Sequence, residues 1–376
     1  MKRTLRSALA SLLREERDGY VLGLVRLLLG LLIALYARQQ LVQIGSSDYF
    51  ADVFHMPLIF EGGVPSRPVY QGLLVLELGG ALLAVVGFYG REGLLAATSI
   101  GIYLLACDRL QYHNNRFALL VAGFLCAFMP SDRSFLLYRG RRHALSPEAR
   151  RGPTFARRLL QVQVSTFYFA SGTGKLLDPD WWGGHPTHVR MLRNLAATAA
   201  QGVHVPDWYA ELLRSPLTAS LASKGAISFE LALSIALWLP RTRALALWAG
   251  ALFHVGIQIQ LHVEFFSWMM GPCYVAFVRP ELHERRAIVD PTRPLGRWVR
   301  GALPWLDWLA RFRIEEQSAD TSGSTLLVID RDGRHCKGVA ALGALARGLP
   351  ALYLAWPLLA LIGRLKARSA RPLRLA

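Results

Sequence analysis

A chain of 376 residues with 53% hydrophobic content and a positive mean hydropathy is too apolar for an ordinary soluble enzyme. Its long apolar runs predict several membrane spans. A formal net charge of +17 would suggest nucleic-acid binding in a soluble protein, but here the arginines gather in particular loops, as orientation in a bilayer requires. The composition favours an integral membrane protein that has the lipid bilayer as a partner, and nucleic acid is not a predicted partner.

The apolar runs predict an all-α polytopic fold of about eight transmembrane helices, with interfacial helices and a short cytoplasmic appendage at the C-terminus. The predicted spans are residues 20–42, 69–89, 93–106, 117–129, 159–174, 227–239, 245–261 and 265–278, with interfacial helices near 188–200 and 207–222. The run after the first nineteen residues is long and lacks a small-residue cleavage site, so the first span is predicted to be retained.

The arginines predict how these spans are oriented. The loop 131–158 contains eight arginines but only two acidic residues, and the loop after the last span is similarly basic. By the positive-inside rule both loops and both termini are cytoplasmic, which suits a bacterial inner (plasma) membrane. The predicted organisation is a basic cytoplasmic N-terminus (1–19), a transmembrane domain (20–282), a basic cytoplasmic segment (283–316) and a tail (317–376).

A single lysine, Lys175, stands at the far end of an apolar helix, just before an acidic turn and two tryptophans. Two interpretations remain open. In one, the lysine anchors its helix by extending its ammonium group to the interface. In the other, partial removal from water lowers the pKa of the lysine, which then acts as a base or nucleophile. Gly172, Thr173 and Gly174 would allow backbone or ligand to come close, which favours a site.

Other polar residues inside or between the spans need partners. Arg26 in the first span is costly unless it meets a carboxylate, and Glu77 and Glu230 are the predicted candidates. The connection 108–116, DRLQYHNNR, is unusually polar for its depth and predicts protein-lined surroundings.

Histidines on the seventh predicted span form a further candidate site. His254, Gln258 and His262 are spaced four residues apart and share one helix face. We interpret them as a hydrogen-bonded polar stripe, because glutamine is a poor ligand for transition metals, and no metal is predicted. The four cysteines contain no Cys-x-x-Cys pair, and three are predicted to pack as small apolar side chains.

Three stretches together resemble one family. The segment 167–184, FYFASGTGKLLDPDWWGG, is similar to the signature of the vitamin K-dependent gamma-carboxylases and their bacterial relatives, the horizontally transferred transmembrane (HTTM) domain proteins. Arg26 within VRLLLGLL resembles the first span of that family, and residues 253–277 resemble its histidine-bearing late span, with Glu230 matching an acidic residue that precedes it. The resemblance covers about residues 18 to 282.

The resemblance implies a quinone-dependent reaction. In the carboxylase, the lysine matched by Lys175 is the base that starts oxygenation of vitamin K hydroquinone; the strong base so formed removes a gamma proton from glutamate, and the carbanion captures carbon dioxide. It implies a reduced quinone as cofactor and a secreted peptide as substrate. Lys175 is the predicted base, His113 and Asn115 are polar partners at the pocket, and His254 is a proton-relay or supporting group.

The chain departs from the family pattern in two places. The family has Asn-Asn-His before the fourth span, whereas this chain has His113, Asn114, Asn115 and Arg116. It also lacks the large luminal region with which animal carboxylases bind their substrates. A non-catalytic maturation or immunity partner for secreted peptides therefore remains an alternative.

The tail resembles the start of the DCC thiol-disulfide oxidoreductase family, in which a strand ending in aspartate leads to a Cys-x-x-Cys loop that opens a helix. Residues 325–330, TLLVID, predict a buried strand. Gly333 stands in place of the first cysteine, so Cys336 cannot form an intramolecular redox pair. We interpret the tail as a redox-inactive remnant with an amphipathic or membrane-associated helix; a ninth span at 339–362 is the alternative.

Overall fold

The computed structural model describes residues 15–45, 48–51, 54–59, 63–140, 144–261, 265–278, 282–317, 325–359 and 361–362. Most of the N-terminal basic segment, His262 and the basic end of the chain lie outside these ranges. The chain forms two compact units, divided after Val278. Unit 1 is mostly helical, whereas unit 2 is built on a β-sheet, so the prediction of an all-α fold is wrong for the second unit.

The described residues of unit 1 form mainly helices, with one small pair of strands. Its helices are α1 (Tyr20–Gly45), α2 (Arg67–Val86), α3 (Gly90–Cys107), α4 (Asn114–Ala127), α5 (Pro147–Arg150), α6 (Phe155–Leu177), α7 (Pro179–Gly183), α8 (His185–Ala200), α9 (Asp207–Arg214), α10 (Pro216–Ala236), α11 (Arg243–Leu261) and α12 (Phe266–Val275). Its strands, β1 (Glu16–Asp18) and β2 (Arg151–Pro153), pair antiparallel. Helices α1 to α4 pack in chain order, α12 lies against α1 and α4, and α6 pairs with α10.

Every predicted span coincides with one of these helices, but their lengths differ. Two of them, Tyr20–Ile44 and Arg67–Val86, are long and apolar enough to cross a membrane. Helix α12 has ten residues and is therefore about 15 Å long, half the thickness of a hydrocarbon core. Helix length and composition alone therefore support fewer than eight crossings.

Unit 1 exposes many large apolar side chains and buries several charged ones. Large apolar side chains are exposed along whole helix faces, including Val75, Leu76, Leu82 and Leu83 on α2 and Leu245, Leu252, Val255 and Ile259 on α11. Several charged side chains lie in the interior: Arg26 and Glu77 are fully buried, and Arg157 and Glu230 nearly so. Such exposed apolar faces need an apolar solvent or a partner.

Arg26 does not pair with either predicted carboxylate. Its guanidinium donates to the carbonyl oxygens of Ser134 (3.4 Å) and Phe135 (2.8 Å), in the loop after α4. The glycines at the α2–α3 turn make room for it, since a Cβ on Gly87 would lie 2.7 Å from Arg26 Nη1. The predicted partnership is therefore wrong: main-chain carbonyls, which sequence periodicity does not reveal, take the place of the carboxylate. Both oxygens of Glu77 lack a hydrogen-bond partner among the described residues.

One end of unit 1 gathers the start of α1, the start of α6 and the end of α12. Pairing of β1 with β2 joins the start of α1 to the start of α6. Arg150, just before β2, donates to the Asp18 carboxylate at 2.9 Å. Arg157 then donates to the carbonyl oxygens of Ala276 (2.7 Å) and Val278 (2.9 Å) at the end of α12. These helix ends are the ones that the charge pattern predicts to be cytoplasmic.

Unit 2 has an α/β arrangement. Its elements are β3 (Arg285–Val289), α13 (Pro294–Leu306), β4 (Phe312–Glu316), β5 (Leu326–Ile329), β6 (His335–Lys337) and α14 (Val339–Gly348). The sheet has the order β4-β3-β5-β6; β3 and β4 are parallel, whereas β5 runs antiparallel to both β3 and β6. The sheet joins strands from both sides of the boundary predicted at 316, so residues 283–316 and the tail share one core.

The tail contains the predicted strand, but its cysteine lies elsewhere than the DCC pattern requires. Cys336 is on β6, opposite Val328 of β5, and does not open a helix. The strand that ends at an aspartate and leads into a helix is β3, followed by Asp290 and α13, and the intervening loop contains no cysteine. Helix α14 is about 15 Å long and packs Ala341 and Leu345 into the core, which favours the non-spanning alternative.

Candidate functional site

The pairing of α6 with α10 positions the candidate site. The two helices run antiparallel, and contacts follow in order: Trp238 Nε1 donates to Ser165 Oγ at 2.7 Å at one end, and Ser223 Oγ donates to the Trp181 carbonyl at 2.5 Å near the other. Between them Gly172 faces Leu231, where an added Cβ would lie 2.9 Å from the leucine Cγ. Gly172 therefore lets the two helices come close, whereas Gly174 faces open space.

Lys175 and Glu230 form an ion pair between these helices. Lys175 Nζ lies 2.5 Å from Glu230 Oε1 and 2.7 Å from Oε2, and it also donates to Ser171 Oγ at 3.0 Å. The side chain of Lys175 is 19% exposed and that of Glu230 is 7% exposed. The carboxylate is therefore shielded while the amine stays approachable. The ring of Trp181 lies under the ammonium, with its centroid 5.2 Å away, and adds cation–π stabilisation.

The turn after α6 holds the tryptophans in place. Asp178 caps α7 by accepting from the Asp180 backbone N–H at 2.9 Å, and Pro179 occupies the first helical turn. Gly184 ends α7 at φ 88°, and an added Cβ there would lie 2.5 Å from Ser220 Cα. Only glycine suits both the left-handed backbone and this close approach.

A second polar cluster joins Tyr168 of α6 to His254 of α11 and Tyr274 of α12. The Tyr168 hydroxyl is 2.6 Å from His254 Nε2 and also forms a hydrogen bond with the Tyr274 hydroxyl. All three side chains are buried, and His254 Nδ1 has no hydrogen-bond partner among the described residues. Tyr168 lies seven residues before Lys175, so the two share a face of α6 about two turns apart.

The predicted polar partners lie in a third place. His113 caps α4 by accepting from the Asn115 backbone N–H at 3.3 Å, and its side chain is exposed. Within the described residues no hydrogen bond or ring contact links His113 or Asn115 to Lys175 or His254. Lys175, His254 and the pair His113 and Asn115 therefore lie in three separate sets of contacts among the described residues.

Asp108 organises the polar connection that contains His113. Its carboxylate accepts hydrogen bonds from the hydroxyl of Tyr49 (3.0 Å), the ring of His55 (3.1 Å) and the backbone N–H groups of Met56 (3.3 Å) and Leu110 (3.0 Å). Burial alone would raise the pKa of Asp108, but these hydrogen bonds hold it below its ordinary value. Asp108 thus ties Tyr49, His55 and Met56 to the start of the connection.

The Lys175–Glu230 pair is stabilised by the attraction between its two charges and by the hydrogen bond from Lys175 to Ser171. Pairing is important here because a charge left without a partner in an apolar environment is costly. The arrangement therefore places an amine, on its more exposed side, next to a carboxylate within hydrogen-bonding distance.

Sequence reasoning missed the partners of the predicted residues. Glu230 was matched to the family pattern, yet its pairing with Lys175 depends on the antiparallel register of α6 and α10. Tyr168 lies in the signature segment itself, and its spacing from Lys175 was a signal that could have indicated a shared face. Tyr274 gave no comparable signal. Asp108 begins the polar connection 108–116, but that polarity did not indicate its partners Tyr49, His55 and Met56.

Comparison with protein families identifies the chain. The HTTM domain model matches residues 15–281, which is most of the chain and nearly all of unit 1. The protein belongs to the HTTM domain family. Comparison with curated proteins and with solved structures gives no match.

Proposed function

We propose that this protein is a membrane-embedded enzyme of the carboxylase-like type, in which Lys175 acts as the base on a reduced quinone. The observation that carries the proposal is the ion pair of Lys175 with Glu230, at 2.5 Å, with the amine approachable and the carboxylate shielded. A lysine that only anchored a helix at the interface would not need a buried carboxylate.

The same proposal places unit 1 in the bilayer. Its exposed apolar faces would contact lipid, its buried charges would be inside the bundle, and the charge pattern would put both termini on the cytoplasmic side. About eight crossings remain our proposal, with α12 as a short helix held between α1 and α4. Lys175 then lies near the extracytoplasmic side, where a secreted peptide is the proposed second substrate.

The side chains present suit a reduced quinone. Such a molecule has phenolic hydroxyls that donate to a base and a flat ring that packs on aromatic side chains. In the proposed step, the Lys175 ammonium first gives its proton to the Glu230 carboxylate, and the neutral amine then accepts the proton of a phenolic hydroxyl. The Trp181 ring offers an aromatic surface whose centroid lies 5.2 Å from the amine. A bound quinone would supply the reducing equivalents, and this chain would orient it and exclude water.

The test is oxygen-dependent turnover of reduced menaquinone by purified protein in nanodiscs, followed by ultraviolet absorbance and mass spectrometry of the epoxide. We expect wild type to form the epoxide and Lys175→Ala to be slower by at least about 100-fold, the usual contribution of a general base. Lys224→Ala is the matched control, because Lys224 also lies over a tryptophan ring, that of Trp182, at 5.3 Å.

Two results would contradict the proposal. Absence of quinone consumption by folded wild type would favour the non-catalytic maturation or immunity partner instead. Equal losses in Lys175→Ala and Lys224→Ala would show that general disturbance of the tryptophan turn, rather than removal of a base, causes the effect. Thermal unfolding of each variant in detergent establishes that the proteins compared are folded.

A further inference from the structure

Helix α13 of unit 2 has a face on which large apolar side chains are exposed. One side of the helix packs into the core through Gly296, Val299 and Leu303. Another side exposes Trp298 by 59% and Trp305 by 66%, with Leu295 beside them at 36%. Two exposed tryptophans on one short helix are unusual for a surface in water, because each leaves a large apolar ring in contact with solvent.

Arginines occupy the third side of the same helix. With 100° between successive residues, Leu295, Trp298, Ala302 and Trp305 fall in one sector, and Arg297 and Arg300 fall in another, roughly 80° away across Gly301. Arg293 precedes the helix as its N-cap residue. Arg300 pairs with Glu316 at 2.9 Å. Neither Arg293 nor Arg297 has an ion pair within the described part of the chain. The exposed surface therefore combines a tryptophan sector with uncompensated positive charge.

We propose that this face of α13 binds the surface of a lipid bilayer that contains anionic headgroups. Tryptophan favours the depth of the headgroups, and arginine binds their phosphates, so the two sectors match the two layers of a membrane surface. A bilayer is also the partner within reach, because unit 2 follows directly on an HTTM domain, with three residues between Val278 and Leu282. This inference does not depend on the chemistry of Lys175.

The length of α13 fits the interface rather than a crossing. Thirteen residues make a helix about 20 Å long, and one side of it is already occupied by the sheet of unit 2. The helix would lie parallel to the surface, with the indoles of Trp298 and Trp305 directed into the headgroups. The sheet would then stand on the side away from the lipid.

Spin-label accessibility in the full-length chain tests this directly. Cys336→Ser removes the partly exposed cysteine, while Cys107, Cys126 and Cys273 are buried. A label is placed with Gly301→Cys, where an added Cβ meets nothing within 4 Å, and the control label with Asp332→Cys in the β5–β6 turn. Access of oxygen and of a neutral nickel chelate is measured in detergent and in nanodiscs, with and without phosphatidylglycerol.

In nanodiscs with phosphatidylglycerol we expect the label at 301 to lose at least threefold in nickel access while keeping oxygen access, and the label at 332 to stay accessible to nickel. Trp298→Ser with Trp305→Ser should restore nickel access at 301 without changing the thermal midpoint. Equal nickel access at 301 and 332 in every lipid would overturn the proposal. Exclusion of both reagents at 301 would also overturn it, because it would indicate contact with protein.

Discussion

At the scale of single residues, three ionisable side chains inside unit 1 have three different surroundings. Lys175 meets a carboxylate, Arg26 meets two main-chain carbonyls, and Glu77 has no hydrogen-bond partner among the described residues. In an apolar environment these differences affect the stability of the fold, because a charge without a partner there is costly. The charge at position 175 is therefore coupled to that at position 230.

Removing one member of the pair should cost more than removing both. Glu230→Gln leaves the lysine charge without its partner and should destabilise the protein by about 2 kcal/mol, below the full cost of a broken buried pair because Lys175 stays partly exposed. Adding Lys175→Met should restore part of that loss. Thermal unfolding of the two single variants and the double variant measures the coupling, and simple additivity would argue against a paired charge.

Asp108 should give the protein a distinct response to acid. Its pKa is below its ordinary value of 3.8, so its hydrogen bonds stabilise the folded state above that pH. This stabilisation is lost as the pH falls through the folded-state pKa. Asp108→Asn should lower the free energy of unfolding by about 2 kcal/mol at neutral pH.

The pH dependence separates this effect from a general packing defect. Because the other acidic groups are common to both proteins, the stability gap between wild type and Asp108→Asn should be constant near neutral pH and narrow below about pH 4. Thermal midpoints from pH 7 to pH 3 provide the comparison. A gap that stayed unchanged throughout would show that ionisation of Asp108 does not stabilise the fold.

At the scale of elements, the close approach of α6 and α10 sets the distance between Lys175 and Glu230. Gly172→Val would place a branched side chain against Leu231, 2.9 Å from its Cγ, and should cost about 1–3 kcal/mol. Gly174→Ala is the matched control on the same helix, because its Cβ would meet nothing within 4 Å. That control should be neutral or slightly stabilising.

Activity provides the second measurement for this pair of variants. If the helix spacing holds the base in place, Gly172→Val should lose turnover of reduced menaquinone along with stability, while Gly174→Ala keeps both. Loss of activity in Gly174→Ala alone would assign the open space at that glycine to the substrate. That outcome would contradict a purely structural role for the two glycines.

The positions of the helices could be predicted from the sequence better than the contacts between their side chains. Long apolar runs mark the helices of unit 1 because every residue of a run contributes to the signal. The strands of unit 2 are short, and β3 begins with two arginines, so the segment 283–316 suggested only a basic loop. Lys175 and Glu230 are 55 residues apart in the chain, and their pairing depends on how α6 is aligned with α10. No local sequence pattern contains that alignment.

At the scale of the whole molecule, the arginine-rich segments lie beside the helix ends that are held together at one end of unit 1. Strand β1, strand β2 and Arg157 hold the starts of α1 and α6 and the end of α12 together at one end of unit 1. Arginines dominate the segments beside these ends. If unit 1 is inserted as proposed, this end faces the cytoplasm, and the loop between α8 and α9 faces outward.

Labelling of single cysteines in intact cells tests this orientation. In the Cys336→Ser background, His204→Cys lies in the exposed loop between α8 and α9, and Arg139→Cys lies in the basic loop after α4. A membrane-impermeant maleimide should label position 204 in intact cells and position 139 only after permeabilisation. The reverse pattern would invert the topology and place Lys175 on the cytoplasmic side, and labelling of both positions in intact cells would show that unit 1 does not separate two compartments. A secreted peptide could meet Lys175 only under the first pattern, so the orientation decides which substrates the proposed base can reach.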